Sequence, residues 1–195
     1  MTHWTEYTAV ALNVAYIVLA ARRSMWCWPA GIGGSALSIW LFIEVQLYAE
    51  AVLFLYYVVM GIYGWYVWRR EAESPGFSIV SLGIGSHFLL CLLGYAGTGL
   101  IFWLLTSYTD AELPLVDAFT TSFAFLATWL TARKVLENWI YWIAVDSLAV
   151  YLYLARGLEL YALLSAAYTA MAAYGYIEWL RNHRGRLQEL WESSE

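Results

Sequence analysis

The chain contains an internal repeat whose first copy, Arg22–Arg70, reads RRSMWCWPAGIGGSALSIWLFIEVQLYAEAVLFLYYVVMGIYGWYVWRR. A shift of 111 positions places this copy on Arg133–Arg181 without a gap, and about 30% of the aligned pairs are identical. The identical pairs include Trp28 with Trp139, Tyr57 with Tyr168, and Trp68 with Trp179. In an apolar chain, such a repeat is typical of a transporter built from two copies of one helical bundle, with the substrate bound where the copies meet.

The composition indicates a membrane protein. Hydrophobic residues make up 62% of the 195 residues and charged residues 13%, whereas a soluble domain has roughly 45–50% apolar and 25% charged residues. The apolar runs are too long for β-barrel strands and lack their alternation. We therefore predict an all-α membrane protein with about seven helices of roughly 20 residues and no separate soluble domain.

Seven apolar runs, separated by charges and turn residues, predict the seven transmembrane helices. They cover Tyr7–Ala21, Trp28–Glu44, Tyr48–Trp68, Phe77–Thr98, Leu115–Ala132, Trp139–Ala155 and Leu160–Leu180. If the chain begins outside, all of its ten basic residues except Arg156 fall on the cytoplasmic side, as the positive-inside rule requires. The N-terminus is therefore expected outside and the C-terminus in the cytoplasm.

The repeat divides the predicted helices into three groups. Residues 1–73 form a first triple-helix bundle, residues 74–110 a connector helix, residues 111–182 a second triple-helix bundle, and residues 183–195 a cytoplasmic tail. Because three helices are an odd number, the connector is needed to give both bundles the same orientation. The expected architecture is a 3+1+3 parallel repeat around a central path.

Closely spaced helix breakers begin the second predicted span. Pro29 lies near its first turn and is followed by Gly31, Gly33 and Gly34. This spacing allows either close helix packing or backbone adjustment, so the segment is a candidate hinge with tight packing as the alternative. The equivalent segment of the second copy, Trp139–Asp146, has neither the proline nor the glycines.

Asp146 is the strongest candidate for a substrate-binding residue. An aspartate inside a span costs about 2.5–3.5 kcal/mol on insertion scales, so it is expected to serve a function. Trp142 lies one turn earlier on the same helix face, and Trp139 lies a further turn back. A ring face attracts an organic cation by about 0.5–2 kcal/mol, and the acid offsets the cation's charge. The alternative is that Asp146 hydrogen-bonds an adjacent helix and only holds the packing together.

Aromatic side chains inside the spans form a second group of candidates. The chain has 12 Trp and 16 Tyr, far more than interfacial belts require. Tyr57 and Tyr168 are expected to face the shared interface, with Phe54 lining the path and Trp40 as a weaker candidate. Asn138 is a weaker polar candidate. Such rings suit a flat heterocycle with a sugar or hydroxyl tail, although any single ring is more often a lipid-facing or core residue.

Missing motifs exclude several functions. The three histidines and two cysteines lack the spacing of a haem, metal or disulfide site, so neither metal nor cofactor is expected. No phosphate-binding glycine loop occurs, which excludes nucleotide hydrolysis. The single lysine, Lys134, lies at a predicted helix end, where it cannot hold retinal. We expect no catalytic residues and no nucleic-acid partner.

Four motifs in combination resemble the PnuC family of vitamin-precursor transporters. They are Trp28–Gly31, Leu47–Ala51, Tyr63–Trp68 and Ala127–Trp139, and the resemblance covers nearly the whole chain. It implies facilitated diffusion of nicotinamide riboside or a related vitamin across the bacterial inner membrane, followed by trapping through cytosolic phosphorylation. It also implies a fold like that of the SWEET sugar transporters and a homotrimer surrounded by membrane lipids.

Phe54 stands where the family pattern often has a glutamine, so the contacts to the nicotinamide or ribose differ from those of an amide. This exchange leaves the thiamine, riboflavin and deoxynucleoside branches of the family open. Nicotinamide riboside is expected first and thiamine second, because both carry a cationic ring that suits Trp142 and Asp146. The sequence is also compatible with a sugar uniporter, with a proton-coupled transporter, and with a non-transporting receptor or assembly subunit.

Overall fold

A computed structural model describes residues 3–44, 48–72, 79–109, 113–155 and 159–192. These residues form seven α-helices, which confirms the predicted fold class. The helices are α1 (His3–Ala21), α2 (Cys27–Glu44), α3 (Tyr48–Ala72), α4 (Ile84–Tyr108), α5 (Pro114–Ala132), α6 (Asn138–Ala155) and α7 (Glu159–Glu192). The β-structure within the described ranges is one isolated parallel bridge between Val80 and Val135.

The contacts divide the protein into two compact units. Unit 1 contains α1 to α3, Ala132–Lys134 and the part of α7 that begins at Ile177. Unit 2 contains α4, α5 up to Thr131, α6 and the part of α7 that ends at Tyr176. Within unit 1, α2 packs against both α1 and α3. The division by repeat into residues 1–73, 74–110, 111–182 and 183–195 stays a prediction.

The turns after α1 and α5 share one backbone conformation. Arg23 (φ 59°) and Lys134 (φ 56°) both adopt the left-handed region, and they are equivalent in the repeat. The same six-to-one backbone hydrogen bond closes both turns, from Ser24 N to Leu19 O (2.9 Å) and from Val135 N to Leu130 O (3.0 Å). This is a Schellman motif, in which glycine is the usual left-handed residue. A basic side chain is stabilised there by the negative end of the helix dipole.

The same contact between an indole ring and a glycine occurs once within each unit. Trp28 packs so closely on Gly64 that a β carbon on the glycine would overlap the ring. Trp139 packs on Gly175 in the same way. Trp139 and Gly175 each lie 111 positions after Trp28 and Gly64, so this packing contact follows the sequence repeat.

Two equivalent tryptophans form the centre of unit 1. The indole Nε1 of Trp68 donates to Ala132 O at 3.2 Å, and that of Trp179 donates to Ala20 O at 3.1 Å. The two ring centroids lie 6.2 Å apart. Trp28 meets Trp68 edge-on, with centroids 5.3 Å apart. These rings therefore join the ends of α1, α3 and α5 to the middle of α7 within one core.

Helix α4 begins seven residues later than the start of the apolar run Phe77–Thr98, so that predicted boundary is wrong. The residues that precede the helix are held in a non-helical conformation by hydrogen bonds to Glu137. Its carboxylate accepts from Ser81 Oγ at 2.5 Å and from Leu82 N at 3.2 Å. Hydropathy does not detect such tertiary hydrogen bonds, which is why the apolar run misplaced the helix start.

Helix α7 extends to Glu192, well beyond the predicted end at Leu180. Its 34 residues span about 50 Å at roughly 1.5 Å per residue, whereas the hydrocarbon core of a bilayer is about 30 Å thick. His183, in the extension, places its Nδ1 3.1 Å from the carbonyl oxygen of Ile79. Part of the predicted tail is therefore a helical continuation anchored to the segment before α4.

By length and composition alone, α4 and α5 are the described helices that qualify as membrane spans. The apolar part of α1, Tyr7–Ala21, is shorter. About half of α5 is buried within the protein, whereas α4 leaves most of its apolar side chains exposed. An exposed apolar helix of this length matches what a membrane-spanning segment presents to lipid.

Candidate functional site

Asp146 is a buried carboxylate near the middle of α6, with 8% of its surface exposed. In the part of the chain that the structure describes, it makes no hydrogen bond and no ion pair. Its electrostatic neighbour is Tyr168 of α7. Because burying an unpaired charge is costly, a bound cation would be stabilised here. The alternative role for Asp146 was to lock α6 to another helix through a hydrogen bond. The described residues contain no hydrogen bond of this kind.

The turn between α5 and α6 orients the indole of Trp142. The indole Nε1 donates to Thr131 Oγ1 at 3.2 Å. Thr131 Oγ1 in turn lies 2.9 Å from Asn138 Oδ1 and 2.8 Å from Ala127 O. The Nδ2 of Asn138 donates to Val135 O at 2.6 Å. That bond fixes the orientation of the amide, because the Nδ2 group must face the carbonyl.

Asn138 and Trp139 are fully buried at the start of α6. The amide of Asn138 bonds within the turn, and the ring of Trp139 packs on Gly175. In this conformation neither side chain presents a surface to a ligand. Trp142 and Asp146 are therefore the better candidates on α6. The spacing of the four residues along the helix does not separate these two from Asn138 and Trp139.

Unit 1 holds the other aromatic candidates. Phe54 and Tyr57 form an edge-to-face pair with ring centroids 5.5 Å apart, and Tyr56 lies 6.0 Å from Tyr57. Trp40 belongs to α2, and 65% of its surface is exposed. Tyr16 of α1, which the sequence analysis missed, is an electrostatic neighbour of Tyr57.

The glycines of α2 face α1 at short range. A β carbon on Gly31 would lie 2.8 Å from the Tyr16 ring, and one on Gly34 would lie 2.5 Å from Asn13 Oδ1. Helix α2 continues through this segment without a break. The contacts favour the packing alternative for these two positions. The hinge role of Pro29, Gly31, Gly33 and Gly34 stays a prediction.

Unit 2 also contains a polar cluster that the sequence analysis did not single out. His87 Nδ1 lies 3.0 Å from the hydroxyl of Tyr141, and His87 Nε2 lies 3.8 Å from Glu137 Oε2. In the sequence, this cluster is indicated only by the i, i+4 spacing of Glu137 and Tyr141, which on a helix places both side chains on one face. The described residues contain no group of three His, Cys, Asp or Glu side chains that could hold a metal ion.

The model of the nicotinamide mononucleotide transporter family matches residues 3–181 of the chain. The riboflavin/roseoflavin transporter RibM of Streptomyces davaonensis is 25% identical over 188 residues, covering 93% of this chain and 87% of RibM. The nicotinamide riboside transporter PnuC of Escherichia coli K12 is 24% identical over 210 residues, covering 94% and 87% of the two chains.

The crystal structure of the vitamin B3 transporter PnuC superposes on this protein with a TM-score of 0.76. The two sequences are 22% identical, and the match covers 94% of this chain and 83% of that one. At this identity the superposition shows a shared fold, and it agrees with the seven helices described above.

Proposed function

We propose that this chain carries nicotinamide riboside, because it belongs to the nicotinamide mononucleotide transporter family. As a member of that family it is a multi-pass membrane transporter rather than an enzyme. The observation that carries this proposal is the buried Asp146 carboxylate, which has no cation partner among the described residues. Nicotinamide riboside has a permanently cationic ring, which an acid and an indole stabilise together. Two relatives named as nicotinamide riboside transporters support the same substrate.

The proposed roles of the candidates follow from their positions. Asp146 neutralises the cationic ring, and Trp142, one turn earlier on α6, stacks on it. Tyr168, beside Asp146, contacts the polar part of the substrate. Phe54 and Tyr57 line the path. Trp40, Asn138 and Trp139 contribute less, because Trp40 is exposed and the other two are buried in packing.

The transport cycle we propose is facilitated diffusion across the bacterial inner membrane, with cytosolic phosphorylation trapping the product. Rocking of two bundles in a 3+1+3 parallel repeat would alternate access, with the segment from Pro29 to Gly34 as its hinge. The N-terminus lies outside and the C-terminus in the cytoplasm. Three copies associate as a homotrimer in the lipid bilayer.

Riboflavin is a further candidate substrate. The relative RibM is named as a riboflavin/roseoflavin transporter and is 25% identical to this chain. The Phe54–Tyr57 ring pair also offers an aromatic surface where a glutamine would offer hydrogen bonds. Riboflavin carries no cationic ring, so it leaves the Asp146 carboxylate without a counter-charge. Thiamine carries a cationic ring and therefore comes before riboflavin on charge alone.

A panel of ligands on the purified protein tests the proposal. A ligand that binds only the folded state raises the melting temperature by an amount that grows with the logarithm of its excess over Kd. We expect nicotinamide riboside to give the largest shift among nicotinamide riboside, thiamine, riboflavin and deoxynucleosides, and to show saturable uptake into proteoliposomes. A larger shift and faster uptake with riboflavin would transfer the assignment to riboflavin. No shift and no uptake with any ligand would indicate a receptor or assembly subunit.

A further inference from the structure

We propose that Thr131 is a positioning residue, whose hydroxyl fixes the indole of Trp142 in the orientation in which it stacks on the substrate ring. This inference rests on the proposed function, because it assigns a positioning role within the same site. Thr131 itself is 1% exposed and is not expected to touch the substrate.

The hydroxyl of Thr131 links two side chains across the α5–α6 turn. It accepts from Trp142 Nε1 at 3.2 Å, and its single proton is directed to Ala127 O or to Asn138 Oδ1. Asn138 is 0% exposed, so water does not replace these bonds. A hydrogen bond to Nε1 lies in the plane of the indole ring. It therefore restricts the orientation of the ring and leaves its π faces open to a planar cation.

A second buried threonine on the same helix shows what a purely local role looks like. Thr128 Oγ1 donates to Ala124 O at 2.8 Å, one turn earlier in α5. Thr131 makes the matching bond to Ala127 O and adds the two partners across the turn. The additional contacts set Thr131 apart from a threonine that only satisfies its own hydroxyl.

The first copy of the repeat shows that the turn does not need this polar pair. The positions equivalent to Thr131 and Asn138 are Ala20 and Cys27. Neither can supply the hydroxyl-to-amide bond, yet the turn after α1 has the same left-handed residue and the same closing hydrogen bond. This backbone geometry therefore forms without a threonine and an asparagine at these positions. The hydrogen bonds of Thr131 and Asn138 are thus not required to form the turn.

Two further positions also differ between the two copies of the repeat, namely those of the indole and the acid. Gly31 stands at the position equivalent to Trp142, and Ser35 at the position equivalent to Asp146. The hydroxyl, the amide, the indole and the acid all occur in the second copy, and none of them occurs at the equivalent position of the first. This joint occurrence indicates one functional group of residues, in which Thr131 and Asn138 hold Trp142 and Asp146 supplies the charge.

The test compares uptake kinetics of full-length variants in proteoliposomes. Thr131→Val keeps the shape of the side chain and removes the hydroxyl. We expect it to raise KM for nicotinamide riboside by about 3–10-fold, with the maximal rate changed by less than about twofold. Thr131→Ser restores the hydroxyl and should restore KM. Thr128→Val, the matched control, should leave KM within about twofold of wild type.

A double-mutant cycle separates positioning from a structural role. In a Trp142→Phe background there is no indole N–H to orient, so Thr131→Val should change KM by less than about twofold. An equal change in both backgrounds would overturn the inference, as would an unchanged KM in Thr131→Val alone. If Thr131→Val does not fold, Thr131→Ala replaces it, because alanine occupies the equivalent turn of the first copy.

The two possible failures are distinguishable. A wild-type protein that takes up and binds none of the ligand panel overturns the proposed function, and this inference with it. A wild-type protein with saturable nicotinamide riboside uptake, together with wild-type kinetics for Thr131→Val, overturns only the role of Thr131.

Discussion

The ammonium of Lys134 lies 5.6 Å from the centroid of the Trp68 ring, and both side chains are almost completely buried. Lys134 takes the left-handed position that ends α5, so the turn directs the cation toward the ring. A desolvated contact between a cation and a ring is worth about 2 kcal/mol. The same indole donates to Ala132 O, so Trp68 joins a hydrogen bond and a cation contact at one site.

We therefore expect Trp68→Phe to cost more stability in the wild-type protein than in a Lys134→Met background. In both backgrounds the substitution removes the indole donor and leaves the buried carbonyl oxygen of Ala132 without this partner, which costs about 1–3 kcal/mol. Only in the wild type does it also weaken the contact with Lys134. Thermal unfolding in detergent measures the difference. Equal losses of stability would show that the cation contact contributes nothing.

Asp146→Asn should weaken uptake of nicotinamide riboside at least tenfold in KM. The expected loss of about 1.5–3 kcal/mol is that of an interaction with a charged group, and 1.4 kcal/mol is a factor of about ten. Radiolabelled uptake into proteoliposomes measures KM. Asp117→Asn, near the start of α5, is the control for loss of one carboxylate and should retain wild-type KM. Unchanged affinity in Asp146→Asn would remove this carboxylate from substrate recognition.

Gly64→Ala and Gly175→Ala should each lower stability, because the added methyl group overlaps the indole of Trp28 or Trp139. Overpacking of this kind costs about 1–3 kcal/mol. Gly99→Ala on α4 is the control: apart from its own helix backbone, no atom lies within 4 Å of the place a β carbon would take, and alanine favours the helix by about 0.5–1 kcal/mol. Melting temperatures of the three variants check the prediction. It is wrong if Gly64→Ala and Gly175→Ala melt as high as Gly99→Ala.

Glu137→Ala should release the segment that precedes α4. The carboxylate accepts hydrogen bonds from Ser81 and Leu82, and its loss leaves both donors without this partner. Hydrogen exchange of the amides in residues 79–83 should then become faster, because their protection depends on these contacts. Glu178→Ala is the control, since the carboxylate of Glu178 bonds to Asn182 within α7. Equal exchange in both variants would contradict the anchoring role of Glu137.

The topology predicts that the two ends of the chain lie on opposite sides of the membrane. Single cysteines replace Thr2 and Ser194 in a background in which Cys27 and Cys91 are changed to alanine. An impermeant thiol reagent should then label position 2 from outside intact cells, and position 194 only after lysis. Labelling of both positions from one side would be incompatible with seven crossings and with the parallel repeat.

Sequence alone predicted the fold class, because seven apolar runs and two repeat copies 111 positions apart are compatible with few other architectures. It also paired Trp28 with Trp139, which prove to pack on equivalent glycines. The predicted start of α4 was wrong. Glu137, which is far from these residues in the sequence, accepts hydrogen bonds from Ser81 and Leu82 and holds them out of the helix. Hydropathy does not contain that information.

The candidate site was predicted less completely. Asp146 stands out in the sequence because an acid inside an apolar run is costly. The sequence did not separate Trp142 from Asn138 and Trp139, because their difference lies in burial. Thr131 was not among the predicted residues, because its proposed role depends on a hydrogen bond to a side chain eleven residues away. A threonine in an apolar helix gives no signal of such a partner.

The Schellman turns and the contacts between indole and glycine are present twice, whereas the acid and its oriented ring are present once. If Asp146 and Trp142 bind the substrate as proposed, the two halves share these packing contacts and only the second half supplies the acid and the ring. That half can then change its substrate contacts through a few side chains, while the shared packing is maintained by its own geometry. New substrate preferences can therefore evolve in this architecture without a new fold.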